Sequence, residues 1–106
     1  MSGQLLELLW SGPAIQDLVD LADYISQDKP SAADSLVKKI KLKLLRLQRF
    51  PLSGKPVDQF AEQQYREVVV YPYRIVYMVN AESVVILRVW HGKRDLRKID
   101  DDEQPE

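Results

Sequence analysis

A chain of 106 residues, 45% apolar and 29% charged, is large enough for one modest core, too short for two, and too apolar for wholesale disorder. It holds no cysteine, which excludes a disulfide framework and a thiolate metal site. No apolar run approaches a membrane span and no basic start precedes an apolar h-region, so a cytoplasmic protein that needs no metal or cofactor is the simplest expectation.

The net charge of −1 is unevenly spread. Five of the 16 acidic residues are Asp100, Asp101, Asp102, Glu103 and Glu106; without them 15 bases face 11 acids, a balance of +4. One domain over residues 1–99 and a solvated, disordered acidic tail over 100–106 follow from this. A dedicated nucleic-acid binder would be more basic than this body.

The apolar run at residues 5–10 predicts a first strand. Ser11-Gly12-Pro13 breaks it, and Pro13 suits the first turn of a helix. Ile15, Leu18, Ala22 and Ile25 then recur at helical spacing, with Asp17, Asp20 and Asp23 off the stripe, so the helix runs to about Gln27. Asp28-Lys29-Pro30 is a break, and Pro30 and Ser31 open a second helix. There Ala33, Val37, Ile40, Leu44 and Leu47 step by four, three, four and three. Lys38, Lys39, Lys41, Lys43, Arg46 and Arg49 carry six positive charges with no acid among them. Such a helix repels itself, and an acidic partner would offset the repulsion. The short break makes the two helices an antiparallel hairpin.

Residues 50–63 read as loop, punctuated by Pro51, Gly54 and Pro56. Three strands follow near 65–71, 73–79 and 84–91, with turns at Pro72 and over 80–83. Tyr73, Ile75, Tyr77 and Val79 share one face by alternation, and Arg74, Val76 and Met78 the other. The predicted fold is therefore α+β: an N-terminal strand, an antiparallel helix hairpin, then a three-stranded antiparallel β-meander. The helices pack on one sheet face and leave the other partly free. Trp10 and Trp90 are expected as core anchors, and Tyr65, Tyr71, Tyr73 and Tyr77 as strand packing.

Arg66, Arg74 and Arg88 sit among apolar strand residues, where a buried guanidinium must be paired or reach water. One expectation is that they point outward on the uncovered sheet face and meet another macromolecule. The plainer one is that Arg66 and Arg74 make cross-strand pairs with Glu67 or Glu62. Strand register, and with it whether Arg74 and Arg88 share a face, is open at this point.

The order of these landmarks resembles the RelE/ParE superfamily of bacterial type II toxins. The matching residues span about 5 to 95. They are Trp10-Ser11, Asp17-Leu18, Ala32-Ala33, then Leu47, Pro51 and Gly54, then Arg66, Tyr73-Arg74-Ile75-Val76-Tyr77, Ile86-Leu87-Arg88-Val89 and His91-Gly92-Lys93-Arg94-Asp95. The resemblance implies a small toxin neutralised by a co-expressed antitoxin, with a dimer or a toxin–antitoxin hetero-oligomer as its assembly. In the RelE-like branch the toxin cuts mRNA on the ribosome; in the ParE-like branch it inhibits DNA gyrase. The stretch from Trp90 to Asp95 looks more like the ParE side.

Metal-free RNA cleavage needs a base for the 2′-hydroxyl, cations for the charge on phosphorus and an acid for the leaving oxygen. Arg66, Arg74, Arg88 and Arg94 could supply cations, His91 an acid or base, and Glu62 or Glu67 a base. RelE-like nucleases resemble this set only in part, since their loop lysines thin out here to Lys55. Hence the expected activity is ParE-like, a binding inhibitor of gyrase. The runner-up is a ribosome-dependent mRNA endonuclease with Arg66, Arg74 and His91 as catalytic residues, and a third reading is an inactive binding module. Lys38, Lys41, Arg46, Arg49, Arg66, Arg74, Arg88, Lys93 and Arg94 are the expected contacts to target or antitoxin. His91 has packing or capping as its plain alternative.

Overall fold

Five strands and two helices follow one another in a computed structural model that describes residues 5–57 and 64–92. They are β1 (Glu7–Trp10), α1 (Gly12–Asp28), α2 (Pro30–Arg49), a 3-10 turn (Pro51–Ser53), β2 (Lys55–Pro56), β3 (Arg66–Val70), β4 (Tyr73–Val79) and β5 (Ser83–His91). The α+β class and the order of strand, helix pair and meander are those expected. Glu62, Lys93, Arg94 and the acidic residues of 100–106 lie outside the described residues.

The sheet order is β1-β5-β4-β3-β2. β3, β4 and β5 form the antiparallel meander, and β1 pairs with β5 in parallel. The chain between β1 and β5 runs through the helix pair and then β2, β3 and β4, ample for the long connection that parallel neighbours need. The predicted stripe of α2 is the buried one, but that of α1 is corrected: Ile15 is exposed, and the face turned to the sheet runs through Ala14, Leu18 and Leu21 and includes Asp17. Ile40, Leu44 and Leu47 of α2 and Ala14 and Leu21 of α1 pack on Val70, Ile75, Tyr77, Val84, Ile86 and Val89 of the sheet.

Two expectations about the sheet are corrected. Residues 50–63 were expected as loop, but Lys55–Pro56 forms a short strand on β3, with Lys55 opposite Glu67 and Pro56 opposite Arg66. Two residues, one of them proline, carry no alternation to read, and an outer edge is where a sheet tolerates proline. The face expected to be partly free has a small core of its own. Val57, Tyr65, Val76 and Trp90 are buried there, with Met78 and Leu87 packed against them.

A bulge reconciles β5 with both cores. Its pairing with β4 runs from Val84 opposite Val79 to Ile86 opposite Tyr77, then resumes with Arg88 opposite Val76, leaving Leu87 as the extra residue. Unbroken alternation would put Ile86, Arg88 and Trp90 on one face. The inserted residue instead keeps Ile86 and Val89 on the helix face and turns Arg88 and Trp90 to the other. Arg74, opposite Trp90, therefore shares that face with Arg88.

β1 stops opposite Ile86, and the first turns of α1 complete the β5 ladder beyond it. The Ser11 amide donates to the Ile86 carbonyl at 2.9 Å. Its hydroxyl donates to the Leu87 carbonyl at 2.8 Å and accepts the Ala14 amide at 3.1 Å, capping α1. The Asp17 carboxylate takes the Val89 amide at 2.9 Å. Ser11→Ala removes the cap and the Leu87 bond together. It is expected to lower unfolding free energy by about 1–2 kcal/mol, measured in urea.

Among the described residues no helix is long and apolar enough to cross a membrane.

Candidate functional site

The three strand arginines have partners within the domain. Arg88 is buried; its Nε and Nη2 donate to the two Asp17 carboxylate oxygens at 2.8 and 2.9 Å, and its guanidinium lies 4.7 Å from the Trp90 ring centre. Arg74 is ion-paired with Glu67, with Nε donating at 2.7 Å, and its Nη1 donates to the Gly92 carbonyl at 3.3 Å. Arg66 donates from Nη1 to the carbonyls of Gly54 at 2.7 Å and Leu52 at 3.2 Å. The picture of guanidinium groups pointing outward to a partner is thus corrected for Arg74 and Arg88. The physical reason is the one that raised the question: in a site with little water, the nearest carboxylate neutralises the cation. The cross-strand alternative holds for Arg74 with Glu67.

Arg74 and His91 are brought together. Both line a hollow of about 310 Å³ with Val69, Tyr71, Pro72 and Gly92, at the turn between β3 and β4. His91 is exposed, and its ring meets Tyr73 edge-on with centres 5.7 Å apart. Arg66 is not part of this group. It stands opposite Tyr77, on the helix face, whereas Arg74 stands on the other. Arg74 pairs with Val69, three positions or about 10 Å along β3 from Arg66, and His91 pairs with Tyr73, which faces Val70, four positions or about 13 Å from Arg66. Tyr71 departs from the expected strand packing. It is 89% exposed at the rim of the hollow.

The helix hairpin offers a different surface. Lys38, Lys39, Lys41, Arg46 and Arg49 are exposed and Lys43 is half-buried. Among the described residues none of the six is ion-paired, although Arg46 lies over the Phe50 ring at 5.5 Å. Leu42 and Leu45 are exposed between these cations, at 66% and 56%. Their legible signal was that they fall off the apolar stripe. Leu45 also walls an apolar groove of about 330 Å³ with Leu8, Trp10, Lys41, Leu44 and Gln48, where α2 meets β1.

β1 is the outer strand beside this groove. Its Leu6 amide donates to the Gln48 carbonyl at 3.1 Å, and Gln48 Nε2 returns a bond to the Leu6 carbonyl at 2.8 Å. Glu7 and Ser11 point their amides at β5. By alternation the backbone groups of Leu8 and Trp10 face away from it, as pairing sites for an added strand. Groove, edge and cations form one continuous stretch of surface.

A family model described as the ParE toxin of type II toxin–antitoxin system, parDE, matches residues 8–96. Toxin RelE2 of Caulobacter vibrioides is 34% identical over 91 residues, 85% of this chain and 99% of that protein. The fold is similar to that in the chromosomal ParDE toxin–antitoxin system from P. aeruginosa. There the TM-score is 0.67 at 22% identity, covering 84% of this chain and 98% of that one. It is also similar to the toxin–antitoxin complex RelBE2 from Mycobacterium tuberculosis, with a TM-score of 0.57 at 24% identity, covering 82% and 98% of the two chains.

Proposed function

The chain belongs to the ParE toxin family, within the RelE/ParE superfamily of type II toxins, and from that premise we propose that it acts by binding and inhibiting DNA gyrase. The observation that carries the inhibitor reading is the separation of Arg66 from Arg74 and His91. A phosphoryl-transfer site needs its cations and its acid and base within hydrogen-bond reach of one phosphate. About 10 Å of strand and a change of sheet face separate Arg66 from Arg74, and about 13 Å of strand separate it from His91. A protein inhibitor has no such requirement. It needs an exposed surface, which the rim formed by Tyr71, His91 and Val69 supplies.

The second reading, a ribosome-dependent mRNA endonuclease, is favoured by a different observation. Arg74, Glu67 and His91 lie together near the β3–β4 turn, and a cation, a carboxylate and an imidazole are the side-chain types that metal-free cleavage uses. One pair of assays separates the two. With purified gyrase, the toxin is expected to abolish supercoiling at a small molar excess, and toeprinting on translating ribosomes is expected to show no new mRNA ends. Intact supercoiling at excess toxin, with new ends that vanish in His91→Ala, would reverse the assignment.

The cognate antitoxin is proposed to seat a helix and an extended segment on the hairpin and the β1 edge. The two similar structures named above are described as a toxin–antitoxin system and a toxin–antitoxin complex, and the groove beside Leu8 and Trp10 has the apolar floor and cationic rim that an acidic amphipathic segment fits. Changing Lys41, Arg46 and Arg49 to glutamate is expected to weaken antitoxin binding at least tenfold at low salt, read by calorimetry. Unfolding in urea should barely move, because Lys41, Arg46 and Arg49 are exposed.

A further inference from the structure

We propose that the acidic segment 100–106 of this chain docks on the basic outer face of α2, at positions 38–49. The face carries six cations without an intervening acid, and among the described residues no carboxylate pairs with any of them. The chain's other strand and helix cations of note, Arg74 and Arg88, do have carboxylate partners. α1, the neighbour of α2, holds Asp17, Asp20, Asp23 and Asp28, yet no ion pair joins the helices among the described residues. Among the described residues, therefore, no ion pair offsets the charge on α2. Segment 100–106 holds five acids and no base, the largest run of opposite sign in the sequence.

Chain length limits the contact, and the N-terminal part of the 38–49 face is the nearer target, since Gln48 lies beside Leu6 at the Glu82 end of β5. The described chain ends at Gly92, at the end of β5, a strand on which α2 packs. Residue 100 follows eight residues later, an extended span of about 26 Å. Positions 38–49 cover about 17 Å of helix axis. Because segment and face belong to one chain, their encounter is intramolecular, which favours even weak pairing. Each exposed pair is worth little alone, so the contact rests on several charges acting at once and is sensitive to salt. Where the same face receives the antitoxin, the segment is a competitor that an acidic partner displaces. That consequence rests on the antitoxin site proposed above; the contact itself is read in the toxin alone.

The absence of cysteine makes the test clean. A spin label on Gln104→Cys in the full-length, isotope-labelled chain is expected to broaden amide signals at positions 38–49 at least twofold at low salt. The broadening should disappear in 0.5 M salt and when Asp100, Asp101 and Asp102 are changed to asparagine. Signals at 38–49 that stay sharp, or broadening confined to residues 93–98 or to the β3–β4 turn, would overturn the proposal. So would broadening that persists when spin-labelled, isotope-free chains are mixed with labelled chains lacking the spin probe, since that places the segment on a second copy. The antitoxin-binding triple variant supplies the independent arm. If it loses antitoxin affinity while the wild-type tail shows no contact, the docking proposal fails and the antitoxin site stands.

Discussion

Asp17→Ala is expected to remove about 3–5 kcal/mol of folding stability, the range seen when one member of a buried ion pair is deleted. The Asp17 carboxylate accepts two bonds from Arg88 and one from the Val89 amide, so a single substitution removes three hydrogen bonds, two of them charge-assisted on both sides. The side chains of Arg88 and Asp17 are only 10% and 14% exposed, which leaves little water to replace the lost partner. Arg88→Ala is expected to cost less, because the carboxylate keeps the Val89 amide. In the double variant the losses should not add, with a coupling of about 1–3 kcal/mol in urea unfolding. Asp17→Leu with Arg88→Met should recover much of the loss, since filling the volume with apolar atoms removes the buried charges altogether. A loss below 1 kcal/mol for Asp17→Ala would mean that water screens the pair. The pair ties α1 to the half of β5 that β1 does not cover, so it sets where the hairpin sits over the sheet. Any effect of Asp17 on antitoxin binding should therefore scale with stability, unlike that of Lys41 or Arg46.

This pair also shows where reading the sequence ends. The apolar period of α2 and the strand alternation around Ile75 and Tyr77 were legible because local spacing decides which side of a helix or strand meets the core. The need of Arg88 for a partner was legible too, from the cost of burying a guanidinium. Its partner lies 71 residues earlier, on a helix whose acids looked equivalent, and only the packing of α1 on the β5 edge distinguishes Asp17 from Asp20 or Asp23. The bulge at Leu87 was hidden for a related reason. Alternation alone cannot show that one residue is skipped, yet that skip decides which face Arg88 occupies. Of the candidate site, the basic face of α2 was plain in the charge run. The groove beside it was not, because Trp10 and Leu44 read as ordinary core residues until β1 took its place as the outer strand.

Gly54→Ala is expected to cost about 3 kcal/mol, the upper end for overpacking. Its backbone is ordinary, with φ −77° and ψ 159°, so the requirement is space. A Cβ there would collide with the Tyr77 hydroxyl, approach its Cε1 to 2.7 Å and the Glu67 carbonyl oxygen to 2.8 Å. The ring is fully buried and the carbonyl belongs to the sheet, so neither can give way. The close approach exists because the Tyr77 hydroxyl accepts the Gly54 amide at 2.9 Å and donates to the Pro51 carbonyl at 2.8 Å. Arg66 holds the same turn from the other side through Gly54 and Leu52. Tyr77→Phe leaves a buried amide and carbonyl unmatched and is expected to cost about 1–3 kcal/mol. It should not rescue Gly54→Ala, since the ring edge and the Glu67 carbonyl remain in the way. Burial raises the Tyr77 phenol above its ordinary value, and the Gly54 amide and the Arg66 charge offset only part of that. The unfolded chain therefore loses this proton first as pH rises. The Tyr77 contribution is full below about pH 10, the ordinary tyrosine value, and declines above it. Urea unfolding from pH 8 to 11 should thus show the gap between wild type and Tyr77→Phe narrowing only at the alkaline end. Arg66→Ala should weaken the same turn. If it also abolished gyrase inhibition while Tyr77→Phe, which loosens the same turn, left inhibition intact, Arg66 would be a target contact and not only a latch on the Pro51–Gly54 turn.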